Sequence, residues 1–294
     1  MWSRNRSEGF VDRVTDYFAG RNLQVATMHG KETVLGPLLA DALGVVVHRV
    51  HGFDTDAFGT FTGEVERLGD ALAAARAKCH RALDLTGGDL AVASEGSFGP
   101  HPVAGFLPSH EELVVLVDRK QSLEITAREF TTTTNYASAT VTSPEELRSF
   151  AANAQFPAHS LILRPERDAA DGIVKGLSSW EALHAAFEEL QRGSREVWVE
   201  TDMRAMHNPT RMDVLRKATL RLIEKVSIAC PTCETPGFDA VGIERGLPCS
   251  TCSHPTRSVL SYTYVCQRCS FTLDVRHPHG KTAEDPRHCD RCNP

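Results

Sequence analysis

Four Cys-x-x-Cys pairs, Cys230/Cys233, Cys249/Cys252, Cys266/Cys269 and Cys289/Cys292, fall in the last 65 residues and take up eight of the nine cysteines. A tight Cys-x-x-Cys turn lets two thiolates reach one ion at about 2.3 Å, and two such turns complete a tetrahedral shell. Eight thiolates in this grouping imply two structural zinc ions rather than disulfides. The pairs are separated by 15, 13 and 19 residues. Sequential pairing keeps both sites within the usual ribbon spacing, whereas alternating pairing interlocks them, so the spacing favours sequential pairing. Ser258–Val265 and Phe271–Val275 are rich in β-branched and aromatic residues, as ribbon strands are. A region this short buries little core, and zinc, worth ~10–16 kcal/mol in finger peptides, supplies most of its folding energy. Four-thiolate shells leave no position for water or substrate, which excludes zinc catalysis. The remaining cysteine, Cys79, lies in a predicted helix and reads as a small core residue.

The chain carries 32 Lys plus Arg against 38 Asp plus Glu, a net charge of −6. This argues against a general polyanion binder, and leaves only the ribbon as a place for nucleic acid. Residues 228–294 hold 7 basic and 7 acidic side chains. Two zinc-thiolate centres lower that zero balance to about −4 by formal counting. No apolar run approaches the ~18 residues that span a bilayer, and Met1 to Gly9 lacks the apolar core of a secretory signal. A cytoplasmic protein with no membrane partner is expected; nothing in the sequence sets an oligomeric state.

Residues 1–228 read as an α/β domain, a mixed sheet with flanking helices, followed by the small C-terminal double zinc ribbon over 229–294. A short helix from Ser7 to Phe18 precedes the main pattern. Leu23–Thr27, a helix from Lys31 to Leu43 and Val45–Val50 form a β-α-β unit. A polar loop then leads to a long helix from Glu64 to Leu85 and a strand at Asp89–Ser94. Glu112–Asp118 and Leu123–Phe130 alternate as an antiparallel pair does. Ser143-Pro-Glu-Glu146 is a capping box that starts a helix reaching Gln155. Strands at Ser160–Arg164, Ile173–Lys175 and Val197–Glu200 and helices at Ser179–Leu190 and Met212–Ser227 complete the body.

Four polar segments lie where strands should end, the usual ligand edge of open α/β sheets. Thr27-Met-His-Gly-Lys31 joins a strand to a helix N-terminus, so Thr27, His29 and Lys31 are candidate phosphate ligands; an ordinary helix start is the alternative. Asp54 to Glu66 offers Thr60, Thr62 and Glu64, with helix capping by Asp56 or Thr62 as the alternative. Ser94 to Pro102 surrounds Glu95 and Ser97 with glycines; Glu95 is the best single acid, against a plain exposed loop carboxylate. Glu200 to Arg211 supplies Asp202, Arg204, Asn208, Thr210 and Arg211, a mixture of metal-binding carboxylates and phosphate clamps, with a solvated charged loop as the alternative.

The words His29-Gly-Lys-Glu32, Gly52-Phe-Asp-Thr-Asp56, Phe58-Gly-Thr-Phe-Thr-Gly-Glu64, Ser94-Glu-Gly-Ser-Phe-Gly-Pro-His101, Glu200-Thr-Asp-Met-Arg-Ala205 and Asn208-Pro-Thr-Arg-Met212 resemble an uncharacterised prokaryotic family with a zinc-ribbon tail. That resemblance implies no activity. Residues 22–225 are also similar, in element order, to the inosine/xanthosine triphosphatase and Maf-like nucleotide pyrophosphatases. There Lys31 matches the lysine of a phosphate loop. Thr60-Phe-Thr-Gly-Glu64 looks like the helix start that brings a metal-binding carboxylate, on Glu64, and Ala93-Ser-Glu-Gly-Ser97 looks like the word that carries the base, on Glu95. His29 replaces an expected Asn, Ser94-Glu95 replaces an Asp pair, and the cysteine tail has no counterpart there.

These observations lead to the expectation of a magnesium-dependent hydrolase or transferase acting on a nucleotide or other phosphorylated small molecule. Mg²⁺ would sit on Glu64 with Glu95 or Asp202, Lys31 and Arg211 would neutralise charge, and Glu95 would orient water. The alternative is a non-catalytic adaptor whose ribbon binds protein or RNA.

Overall fold

The computed structural model describes residues 17–52 and 70–294. The loop bearing Thr60, Thr62 and Glu64, and all of the expected first helix except Tyr17 and Phe18, lie outside the described residues. Contacts divide the chain into two units, Gly20–Leu222 and Ile223–Pro294, the second including the described residues before Gly20.

The larger unit begins with β1 (Asn22–Val25), α1 (Glu32–Leu43) and β2 (Val46–Arg49), and β1 and β2 pair in parallel from Asn22↔Val46 to Val25↔Arg49. α1 stops at Gly44, whose φ of 66° is the left-handed conformation that glycine adopts at least cost. Next comes α2 (Ala71–Thr86), opened by Asp70, whose carboxylate accepts the Ala73 N–H at 2.8 Å. Asp70 is extended (φ −80°, ψ 173°), so an Asp N-cap starts the helix at Ala71, and the first part of the helix expected from Glu64 to Leu85 lies outside the described residues.

β3 (Leu90–Pro100), β4 (Pro108–Asp118) and β5 (Leu123–Thr131) follow, and the sheet order is β2-β1-β3-β4-β5. β1 pairs with β3 in parallel, and the β3-β4-β5 meander is antiparallel. The loop expected at Ser94 to Pro102 is instead mostly strand. β4 supplies ladder partners from Leu90↔Asp118 out to Pro100↔Pro108, and this tertiary pairing overrides the weak strand propensity of Gly96 and Gly99. On one sheet face Ala91, Ala93, Leu113, Val115 and Val117 pack against Ala75, Cys79, Ala82 and Leu83 of α2. Each buried leucine or valine there contributes about 1.5–3 kcal/mol. Cys79 is wholly buried, as expected of a core residue, and burial pushes its thiol pKa up. α1 covers the other face, with the Gly36 backbone close against Val47.

A second sheet was not foreseen. β6 (Ser138–Val141), β7 (Leu161–Arg164), β8 (Val174–Leu177) and β9 (Val197–Thr201) form a four-stranded antiparallel sheet in the order β6-β9-β7-β8. α3 (Pro144–Asn153) and α4 (Trp180–Gln191) bury Leu147, Ala151, Leu183 and Phe187 against it. Ser143 accepts the Glu146 N–H at 3.3 Å as the capping box requires, but the Glu146 carboxylate reaches back to Thr142 N–H (2.6 Å), one residue beyond the cap. α5 (Pro209–Val226) is capped by Asn208, whose Oδ1 accepts the Arg211 N–H at 2.9 Å.

In the smaller unit β10 (Asp239–Arg245), β11 (Val259–Val265) and β12 (Thr272–Arg276) make an antiparallel sheet with β11 in the middle. No helix among the described residues is long and apolar enough to cross a membrane.

Candidate functional site

The cysteines gather into two sets, Cys230, Cys233, Cys266 and Cys269, and Cys249, Cys252, Cys289 and Cys292, with the four sulfurs of each set within 4.8 Å of one another. The favoured sequential pairing is therefore wrong: the sites are crossed. The cause is the antiparallel sheet. β10 carries the chain from the first knuckle to the second, β11 returns it to the third, and β12 leads towards the fourth, so odd and even knuckles collect at opposite ends. Sulfur separations of 3.6 Å (Cys230–Cys269), 3.5 Å (Cys233–Cys266), 3.9 Å (Cys249–Cys292) and 3.7 Å (Cys252–Cys289) fit a tetrahedron. Four sulfurs at 2.3 Å from one zinc ion stand about 3.8 Å apart. The knuckles share a turn: Glu234, Ser253 and Ser270, each following the second cysteine of a pair, have φ of 58–59°. Backbone N–H groups of Thr232, Thr251 and Cys269 aim at Cys230, Cys249 and Cys266 sulfur, stabilising thiolate charge. Both sets are thus zinc-ribbon-like sites able to hold two zinc ions.

In the larger unit the distinctive feature is a charged cluster just beyond the point where the pairing of β1 with β3 ends, against Ser94 and Gly96 in the middle of β3. β1 connects to β2 on one side and β2 connects to β3 on the other, so the strand order reverses here, the place where open α/β folds bind ligands. Glu112 on β4 is fully buried at its centre. Its carboxylate accepts from Lys31 Nζ (3.2 Å) and Arg211 Nε (3.2 Å), and lies 3.0 Å from His110 Nε2. Lys31 also donates to Ser94 O and Ser94 Oγ, both at 2.9 Å, and Arg211 to the Met203 carbonyl at 2.5 Å. Phe98 stacks on His110 at 4.4 Å between centroids and carries the Arg211 guanidinium at 5.3 Å.

The cluster's electrostatics follow from burial and proximity. Burial pushes the Lys31 pKa down to about 8, with Glu112 opposing. Burial disfavours ionisation of Glu112, but Arg211 and Lys31 outweigh it and hold the carboxyl well below the usual range. Gly96 faces Glu112 across the β3-β4 ladder, and a Cβ there would lie 2.5 Å from an Arg211 nitrogen and 2.7 Å from Glu112 Oε2. A larger residue at position 96 would displace one member of the pair.

Of the residues singled out from the sequence, Lys31 and Arg211 come together. Thr27 is buried in the same loop as Lys31, and its Oγ1 accepts the His29 N–H at 3.3 Å. Glu95 does not join them. It follows Ala91 and Ala93 onto the α2 face, where it pairs with Lys78, while Ser94, Gly96 and Glu112 face the other way. Nor is it an exposed loop carboxylate, being 7% exposed within β3. Ser97 is half-buried further along β3. Asp202 is buried and engaged by Arg204 Nε (3.0 Å), the Arg204 backbone N–H (3.0 Å) and Gly176 N–H (3.1 Å). Asn208 caps α5, and Thr210 meets His159 at 2.9 Å.

A family model described as a domain of unknown function, DUF6671, matches residues 78–294. The chain belongs to this family. The DUF6671 match takes in both cysteine sites, Glu112 and Arg211, while Lys31 precedes it. No curated protein, nucleotide pyrophosphatases included, matches the chain.

Sequence reasoning missed Ser94, His110 and above all Glu112. The available signal was a carboxylate on the same strand face as His110, standing opposite a glycine in the neighbouring strand.

Proposed function

We propose that the larger unit binds a phosphorylated small molecule at the β1/β3 edge and acts on its phosphoanhydride, as a hydrolase or transferase of nucleotide-like substrates. The observation that carries this reading is the convergence of Lys31 and Arg211 on one carboxylate, beside the N-terminus of α1. Two cations against one anion leave net positive charge where the strand order reverses. The first turn of α1 has no side-chain cap; the Thr33 and Val34 N–H groups close onto the Gly30 and Lys31 carbonyls, which leaves those of Gly30, Lys31 and Glu32 at the helix end for an anion. Lys31 and Arg211 are nearly buried and act through their field, lowering the energy of negative charge held at the helix end. Apart from the two cysteine sets, no group of three metal-ligating side chains comes together among the described residues. Magnesium in this reading enters with the substrate's phosphates, completed by water.

A panel of nucleoside triphosphates with Mg²⁺, followed by phosphate and pyrophosphate release, tests it. Turnover that weakens in Lys31→Ala, mainly through KM, supports the reading; absence of both turnover and binding ends it. One observation favours a second reading, binding without chemistry: Glu95, Glu112 and Asp202 are each already paired with a cation. Binding of a nucleotide without turnover would select that reading.

A further inference from the structure

A cleft of about 670 Å³ opens on the smaller unit, with no cysteine in its lining, although His288, Asp290 and Asn293 of its wall are sequence neighbours of Cys289 and Cys292. Leu247 and Val259 give it an apolar floor, and Arg245, Arg257, Lys281 and Arg287 bring four cations to its walls. Those are four of the seven basic residues in the tail, although the tail as a whole is balanced. The two carboxylates that share the lining are already committed. Glu284 is buried and accepts Ser258 Oγ–H at 2.7 Å, the Asp285 N–H at 2.9 Å and Lys281 Nζ at 3.4 Å, and so holds the wall together, while the Arg287 fork rests on both Asp285 oxygens at 3.1 Å. Asp290 takes only the Nε of Arg257, at 3.1 Å, which leaves the terminal nitrogens of that guanidinium for a ligand. The volume falls in the ~300–1,000 Å³ range of small-molecule sites, and arginine forks match phosphate oxygens in pairs.

We propose that this cleft is a second ligand site, which takes one nucleotide-sized molecule by its phosphate groups. The other three basic residues of the tail, Arg268, Arg276 and Arg291, do not line the cleft, and four cations around one cavity suit a single phosphorylated molecule better than a polynucleotide, whose backbone needs a track of cations.

The test is amide NMR on the zinc-loaded full chain titrated separately with ATP, pyrophosphate and an unphosphorylated ten-nucleotide single-stranded RNA. ATP should shift the Leu247, Val259 and Lys281 amides, and pyrophosphate should compete with it. The double variant Arg257→Ala/Arg287→Ala, in exposed side chains, should keep two zinc ions and weaken ATP by about tenfold or more. Ribbon amides that ignore both ATP and pyrophosphate in the wild-type chain would overturn the proposal, as would a response to the RNA alone. Because the readout is on ribbon amides, failure of the phosphate reading at the β1/β3 edge would leave the result unchanged.

Discussion

At the residue scale, Glu112 holds the larger unit's charged cluster together. It satisfies two buried cations at once, and removing one member of such a group strands the others in low dielectric. Glu112→Gln should therefore cost about 3–5 kcal/mol in urea unfolding, far above an ordinary surface change. Lys31 gives a second prediction through its pKa. In the folded chain Lys31 titrates at about 8. The unfolded value is about 10.4. Between these the unfolded state binds the proton and the folded state does not, so this group makes stability rise with pH across that window. Lys31→Met should flatten the rise, seen by comparing unfolding midpoints at pH 8 and pH 10 with those of the wild-type chain. Lys31 and Arg211 were legible in the sequence because each sits in a polar segment beside a helix start. Glu112 was not, because it reads as the first residue of an apolar strand. Its burial is decided by Gly96 across the ladder and by Arg211, 99 positions further along the chain.

At the scale of elements, the crossed cysteine sites depend on three strands rather than on loop spacing. Spacing alone favoured neighbours in sequence because a short loop closes at least entropic cost. The missing information was β10. Its sequence Asp239-Ala-Val-Gly-Ile-Glu-Arg245 is polar and interrupted by glycine, and without it the alternation of chain direction could not be counted. Cys233→Ser/Cys266→Ser distinguishes the arrangements. Both substitutions strike one site in the crossed arrangement, so metal analysis should find one zinc ion retained per chain. Sequential pairing would damage both sites and leave none. The same scale explains α2, where Asp70 and not an upstream Thr or Asp begins the helix. Asp70→Ala should cost about 1 kcal/mol in thermal or chemical unfolding.

At the scale of the whole molecule, a DUF6671 chain joins an α/β unit with a ligand-type crossover edge to a ribbon whose four knuckles form two zinc-type sites. The mixed sheet, its helices and the cysteine-rich tail were legible because periodicity and Cys-x-x-Cys spacing are local signals. The second sheet was not, since Ser138-Ala-Thr-Val141 is strand only through its pairing with β9. Glu95 illustrates the same limit at the site: its position along the chain was anticipated, but two-residue alternation turns it to the α2 side. In the function proposed above, the edge beside Lys31 holds a phosphate group. Crystals of the zinc-loaded chain soaked in tungstate, a phosphate mimic located by anomalous scattering, test it most directly. A tungsten peak within hydrogen-bond reach of the backbone N–H groups of residues 30–32 is the predicted result; tungsten bound elsewhere with none at this edge would contradict it.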